Sequence, residues 1–121
     1  MHKVLLSLAS NYHQKQNLAE ARAALEKVLV RISYSPELWT TPIGTSNPSL
    51  YLNQLAVAYT TLTEAELNGR LKSLECLLGR TQELRARGIV PIDMDLLKYG
   101  RKRLHERDWG RPYVQKLLPT I

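Results

Sequence analysis

Phenylalanine is absent from this sequence, cysteine occurs once, and acidic residues are outnumbered by basic ones, 11 to 17. A lone cysteine, Cys76, excludes an internal disulfide framework, and its place in an apolar helical stretch predicts a buried thiol. No apolar run is long enough to span a bilayer. The opening stretch Met1 to Leu8 turns polar at Ser10-Asn11-Tyr12-His13, before the longer apolar region and cleavage site of a signal peptide, so the expectation is a cytoplasmic protein. A catalytic triad, a glycine-rich phosphate loop and zinc-ligand spacing are all missing. His2, His13 and His105 are scattered and read as surface histidines, as Arg31 reads as a plain surface charge.

What is present is a chain of 121 residues, expected to form a single domain over 1–121, with enough apolar content (44%) for a real core. The formal charge of +6 is unevenly spread. The last third carries Arg85, Arg87, Lys98, Arg101, Lys102, Arg103, Arg107, Arg111 and Lys116 against Glu83, Asp93, Asp95, Glu106 and Asp108. Such a bias points to an anionic partner: a nucleotide, a phosphorylated metabolite or nucleic acid. A solvated basic tail that keeps the protein soluble is the alternative, and charge does not choose between them.

Lys3 to Leu8 suits a short buried strand. Asn17, with Glu20 three residues on, reads as a helix start, and Leu18, Ala21, Leu25, Val28 and Leu29 at helical spacing predict a helix over about 18–30. Arg31 to Thr40 is β-branched and aromatic, with Pro36 making it an edge or interrupted strand. A loop over Thr41 to Ser49 leads into a central strand, Leu50 to Tyr59. Thr63-Glu64-Ala65-Glu66 is a capping box that opens a helix with Leu67, Leu71, Leu74 and Leu78 on one stripe, ended by Gly79. Residues 80–90 read as an arginine-rich loop, Pro91 to Leu97 as a strand, and a short helix near 109–118 closes the chain. The order strand, helix, strand, strand, helix, strand predicts an α+β fold, the ferredoxin-like βαββαβ sandwich: an antiparallel sheet with two helices on one face.

On a strand, side chains two apart share a face. Asp93 and Asp95 therefore project together, while Ile92, Met94 and Leu96 project to the opposite, apolar face. Two neighbouring carboxylates repel, and a divalent cation relieves this; hard oxygen donors favour Mg²⁺. A solvated face whose aspartates pair with nearby arginines is the other reading. Tyr51 and Asn53 likewise share a face, an aromatic platform beside an amide that can stack a flat heterocycle and bond its edge, or simply half-buried sheet.

Read together, the segments resemble the hydroxymethyl-dihydropterin pyrophosphokinases, over almost the whole chain and in the same order. Leu8-Ala9-Ser10-Asn11 is similar to that family's Leu-Gly-Ser-Asn, Thr40-Thr41-Pro42-Ile43-Gly44 to its Thr-Pro-Pro-Leu-Gly, and Tyr51-Leu52-Asn53 to its Tyr/Phe-Leu-Asn. Glu75 followed by Gly79-Arg80 resembles its Glu-x-x-x-Gly-Arg, and Ile92 to Gly100 its Leu-Asp-x-Asp-hydrophobic-Leu-x-aromatic-Gly strand. The resemblance implies transfer of a pyrophosphoryl group from ATP to 6-hydroxymethyl-7,8-dihydropterin in folate biosynthesis, leaving AMP. It implies that Asp93 and Asp95 hold two Mg²⁺ ions and act with Arg80 in catalysis. Thr40, Ile43, Tyr51, Asn53 and Tyr113 would bind the pterin, and Glu75, Arg80 and Arg111 the nucleotide. The implied partners are ATP and a reduced pterin, with no nucleic acid and no membrane.

The departures fall on the phosphate side. The family's Gly-Arg-x-Arg is Gly79-Arg80-Thr81-Gln82 here, its Trp-Gly-Pro-Arg is Arg87-Gly88-Ile89-Val90, and a Pro-His segment after Gly100 is missing. Arg85, Arg87, Arg101 and Arg103 are the candidates for replacement charge. Two further readings follow: a catalytically impaired relative that still binds pterin or nucleotide, and a small basic RNA-binding module. The second is disfavoured, because no aromatic RNA-binding motif occurs and Asp93 and Asp95 would repel phosphates unless metal is bound.

Overall fold

A computed structural model describes residues 1–42 and 47–121. The strands are β1 (His2–Ser10), β2 (Val30–Tyr34), β3 (Leu38–Thr40), β4 (Tyr51–Thr60), β5 (Asp93–Tyr99) and β6 (Lys102–Arg103). The helices are α1 (Gln14–Leu25), α2 (Glu64–Leu77), α3 (Gln82–Ala86), α4 (Glu106–Trp109) and α5 (Pro112–Leu117), with a 3₁₀ turn over Leu118–Thr120. The strands form one antiparallel sheet in the order β2-β4-β1-β5-β6, with β3 also paired to β4. This is the expected α+β, ferredoxin-like arrangement.

Two apolar layers sandwich the sheet. Leu6, Leu8, Leu52, Ala56, Met94 and Leu96 bury one face under Leu18, Ala21 and Leu25 of α1 and Leu67 and Leu71 of α2. The opposite face is covered at its middle by a smaller cluster in which Leu5, Leu55 and Leu97 meet Trp109, Val114 and Leu117. Ile92, Met94 and Leu96 are fully buried, as their alternation predicts. Each such side chain contributes about 1.5–3 kcal/mol on burial, and a one-residue slip would exchange them for two aspartates. Register is therefore strongly held, and the carboxylates are directed to the second face.

The capping box forms as expected: Thr63 Oγ1 accepts from the Glu66 N–H at 3.2 Å, and Glu66 Oε1 accepts from the Thr63 N–H at 2.9 Å. Beyond the end of α2, Gly79 has φ +106°, a left-handed conformation that costs glycine little. The strand predicted over Arg31 to Thr40 is interrupted at Ser35–Glu37, where Pro36 sits.

Other expectations are corrected. Asn17 is no cap: α1 begins at Gln14 after His13 in the left-handed region, and buried Asn17 donates to Tyr12 O at 2.6 Å from within the helix. That helix ends at Leu25, although Leu29 still reaches the core. Residues 80–90 include α3, capped by Thr81, and the closing segment is two short helices on either side of Gly110. Strand β6, not foreseen, pairs back onto β5 through a turn in which Gly100 has φ +58°. Cys76 is exposed, because it lies on α2 beyond the stripe that faces the sheet. Arg31 is exposed, as expected of a surface charge, with φ +54° and its guanidinium over the Tyr59 ring at 5.8 Å.

Candidate active site

The register across the three central strands builds the site floor. Ala9 of β1 is the partner of both Asn53 on β4 and Asp93 on β5; Ser7, two residues away on the same face, is the partner of Leu55 and Asp95. Amide, methyl and carboxylate thus form one row, and apolar, hydroxyl and carboxylate the next. Over these rows opens a cavity of about 560 Å³, within the range of small-molecule sites. Its walls include Thr40 and Thr41 on one side and Asp108, Arg111, Pro112 and Tyr113 on the other, with Tyr51 beside Asn53.

Of the pterin candidates, Thr40, Tyr51, Asn53 and Tyr113 all line this cavity, together with Asp93, Asp95 and Arg111. Ile43 lies outside the described residues. Arg80 and Glu75 do not line it; they stand behind the carboxylates. Asn53 Nδ2 donates to Leu38 O at 3.0 Å and to Thr40 Oγ1 at 2.8 Å, which commits both amide hydrogens and fixes the ring of acceptors around them. Its Oδ1 is the atom left to accept from a ligand N–H. The Tyr113 hydroxyl and Ser7 Oγ share a hydrogen bond at 2.9 Å, which anchors α5 to the floor. Burial raises both tyrosine hydroxyls above their usual range, so both rings stay neutral near pH 7.

The carboxylates are held from behind by an ion network that sequence reading missed in part. Glu75, 4% exposed, accepts from the Met94 N–H at 2.7 Å, between the two aspartates in sequence. It also pairs with two cations, Arg80 at 3.2 Å and Lys72 at 3.3 Å. Arg80 goes on to Asp93 at 2.8 Å and Lys72 to Asp95 at 3.4 Å, so one buried carboxylate aims a separate cation at each aspartate. The spacing of Lys72 three residues before Glu75 was the available signal. Nothing local in it says that both face β5.

Burial works against ionisation of both aspartates. For Asp93 the Arg80 guanidinium, with a hydrogen bond to Asp95 and the charge of Lys72, more than offsets it and holds the carboxyl below its usual range. For Asp95, burial and the neighbouring charge of Asp93 push the carboxyl up to about 6, only partly countered by Lys72. Like-charge repulsion that these cations relieve only in part, between adjacent hard-oxygen donors, is the chemistry that suits Mg²⁺. No group of three or more His, Cys, Asp or Glu ligands occurs among the described residues. That also fits Mg²⁺, which needs only one or two carboxylates when water and substrate phosphates complete its shell.

The arginines expected to replace lost phosphate contacts are elsewhere. Arg85, Arg87, Arg101 and Arg103 do not line the cavity, and Arg103 stacks on Trp109 with its guanidinium carbon 4.0 Å from the ring centroid. Arg111 does line it, and its Nε pairs with Asp108 at 2.9 Å. Trp109, another residue sequence reading passed over, donates from its indole N–H to Leu97 O at 3.1 Å and Leu104 O at 3.0 Å. It thereby clamps the α4–α5 segment that carries Asp108 and Arg111.

Comparison with known proteins identifies the family. A family model described as 7,8-dihydro-6-hydroxymethylpterin-pyrophosphokinase matches residues 5–121. The folate synthesis bifunctional protein, mitochondrial, of Pisum sativum is 34% identical over 129 residues, spanning 98% of this chain and 25% of that protein. Two Arabidopsis thaliana proteins are similar: a folate synthesis bifunctional protein at 29% identity (98% of this chain, 26% of that one), and a mitochondrial one at 30% (99% and 23%). The chain thus spans about a quarter of the length of these relatives. No helix among the described residues is long and apolar enough to cross a membrane.

Proposed function

The chain belongs to the 7,8-dihydro-6-hydroxymethylpterin-pyrophosphokinase family, and from that premise we propose that it transfers pyrophosphate from ATP to 6-hydroxymethyl-7,8-dihydropterin in folate biosynthesis. The observation that carries this reading is one cavity lined by Thr40, Tyr51, Asn53 and Tyr113 together with Asp93 and Asp95. A flat, hydrogen-bonding heterocycle and a polyphosphate are the two ligand chemistries such walls suit.

Tyr51 and Tyr113 enclose the pterin ring, Asn53 Oδ1 accepts from its N–H edge, and Thr40 holds the Asn53 amide in place. The pterin hydroxymethyl oxygen bonds to the β-phosphorus of ATP, the bond from that phosphorus to the α-phosphate oxygen breaks, AMP leaves, and the hydroxyl proton passes to water. Asp93 and Asp95 would hold the Mg²⁺ that the family uses, two ions in our reading, which when bound neutralises phosphate charge and polarises the phosphorus centre. Arg80 and Lys72, steadied by Glu75, keep the two carboxylates in place. Arg111 turns from Asp108 toward the phosphates and supplies cationic charge in place of the arginines this chain lacks. Positioning and charge neutralisation are the protein's main contributions to such a reaction.

A second reading, a relative that keeps the pterin pocket without turnover, draws on Arg111 being the one basic residue lining the described cavity and being ion-paired. One assay separates the two: AMP formation from Mg²⁺-ATP with and without the pterin, with Asp93→Ala/Asp95→Ala as control. Pterin-dependent AMP that vanishes in the control establishes the enzyme. Pterin binding without AMP establishes the second reading.

A further inference from the structure

At the other end of the same sheet face lies a second cavity, of about 700 Å³, on the far side of the apolar cluster that α4 and α5 pack against. Its floor is Leu5 and Val57, and its walls include Trp109, Tyr34 and Ile121 together with Lys3, Lys98 and Arg103. No Asp or Glu side chain lines it, and none of these three cations belongs to an ion pair among the described residues.

The gathering of charge is made by the backbone. Along β1 the register with β5 shifts between Leu5 and Leu6: Leu6 pairs with Leu96, but Leu5 pairs with Lys98, so Leu97 is the extra residue. Paired residues share a face, so the bulge turns Lys98 onto the face of Leu5 and Leu97 instead of the α1–α2 face that plain alternation would give it. Hairpin pairing then sets Arg103 opposite Lys98, two cations directly across from one another. Like charges facing each other across a ladder are unfavourable unless something anionic stands between or above them. Arg103 is further ordered by its stacking on Trp109.

We propose that this cavity is a second ligand site, separate from the pyrophosphokinase centre, for a small organic anion with at least two negative charges on a flat apolar body, the chemistry of a nucleoside monophosphate. The three cations answer the phosphate, and the Leu5–Val57 floor answers the base. The volume is sufficient for such a molecule.

The test is titration of the full chain with AMP in the absence of Mg²⁺, following amide and indole N–H resonances by NMR, with adenosine and inorganic phosphate as comparison probes. Saturable shifts at Lys98, Gly100, Arg103 and the Trp109 indole are expected, with AMP bound at least about tenfold tighter than either comparison probe. Lys98→Gln/Arg103→Gln should weaken AMP by about tenfold and Lys98→Glu/Arg103→Glu by more, with unchanged thermal unfolding because Arg103 is exposed and Lys98 half-buried. Arg111→Ala, in the first cavity, should leave these shifts as they are. Shifts that survive both charge changes, that vanish in Arg111→Ala, or that fail to appear with AMP overturn the site; phosphate binding as tightly as AMP overturns the organic body.

Discussion

Asn53 and Asp93 face each other across a single methyl group: both take Ala9 as register partner, one from each side of β1. The pterin-reading amide and the metal-side carboxylate of our proposal are therefore two strand spacings apart, about 10 Å, with the smallest chiral side chain as the floor between them. A larger side chain there would fill the cavity from below, between the two functional groups. Ala9→Leu should lower pterin affinity at least about tenfold while Ala9→Gly leaves it nearly unchanged, since overpacking costs about 1–3 kcal/mol. Calorimetric titration of pterin checks this; equal affinity in Ala9→Leu and wild type would place the pterin elsewhere.

Tyr51→Ala should weaken pterin by about 1–3 kcal/mol, the scale of a lost aromatic stack and its buried area. Its fold should be intact, since Tyr51 is only half-buried at the start of β4. The expected pattern is a raised pterin Kd with an unaltered unfolding temperature. A normal Kd would remove Tyr51 from the pocket.

Glu75 joins both cations to the strand that carries the aspartates. Glu75→Ala strands the Met94 N–H and leaves Lys72 and Arg80 without their common partner, so it should destabilise the protein by about 2 kcal/mol. Glu75→Gln keeps an acceptor for Met94 and should recover part of that stability but not the placement of the cations. Chemical denaturation of the three proteins, with ATP affinity measured in parallel, separates the two contributions.

Asp95 stands against its neighbour Asp93 in the metal-free protein. Asp95→Asn removes that repulsion, and should stabilise the metal-free chain by about 1 kcal/mol while abolishing pterin-dependent AMP formation. Thermal unfolding with chelator present and the coupled assay together check it; a variant that is both less stable and fully active would reverse the roles assigned here.

The cap of α2 carries a pH dependence of its own. The Thr63 backbone N–H holds the Glu66 carboxyl below its ordinary value of 4.5. A depressed carboxyl stabilises the folded chain above its unfolded pKa, and that stability is lost as pH falls through the lower folded value. The stability difference between wild type and Glu66→Gln should therefore be constant above about pH 5 and shrink below pH 4.5, as thermal unfolding across that range would show. Thr63→Ala, which removes the Oγ1 acceptor, should cost about 1 kcal/mol.

What the sequence determined by itself is what depends on neighbours a few residues apart. A period of two set Asp93 and Asp95 on one face and Ile92, Met94 and Leu96 on the other; a spacing of three wrote the Thr63–Glu66 capping box; Pro36 interrupted its strand. The same local logic failed at Asn17, whose cap-like spacing lost to a bond with Tyr12 O that holds it inside α1. Motif order carried the resemblance, and with it the candidate residues of the cavity. Tertiary structure alone decided which of these meet. Ala9 lies between Asn53 and Asp93 because β4 and β5 flank β1, two pairings that each reach more than forty residues along the chain and that no local spacing encodes. The approach of α2 to β5 made Glu75 a buried hub and brought Lys72 to Asp95, while the β5–β6 hairpin carried Arg103 away from the phosphate side and onto Trp109. Periodicity is a property of one segment. Register and helix placement are settled by packing many segments at once, and the site is made where they cross.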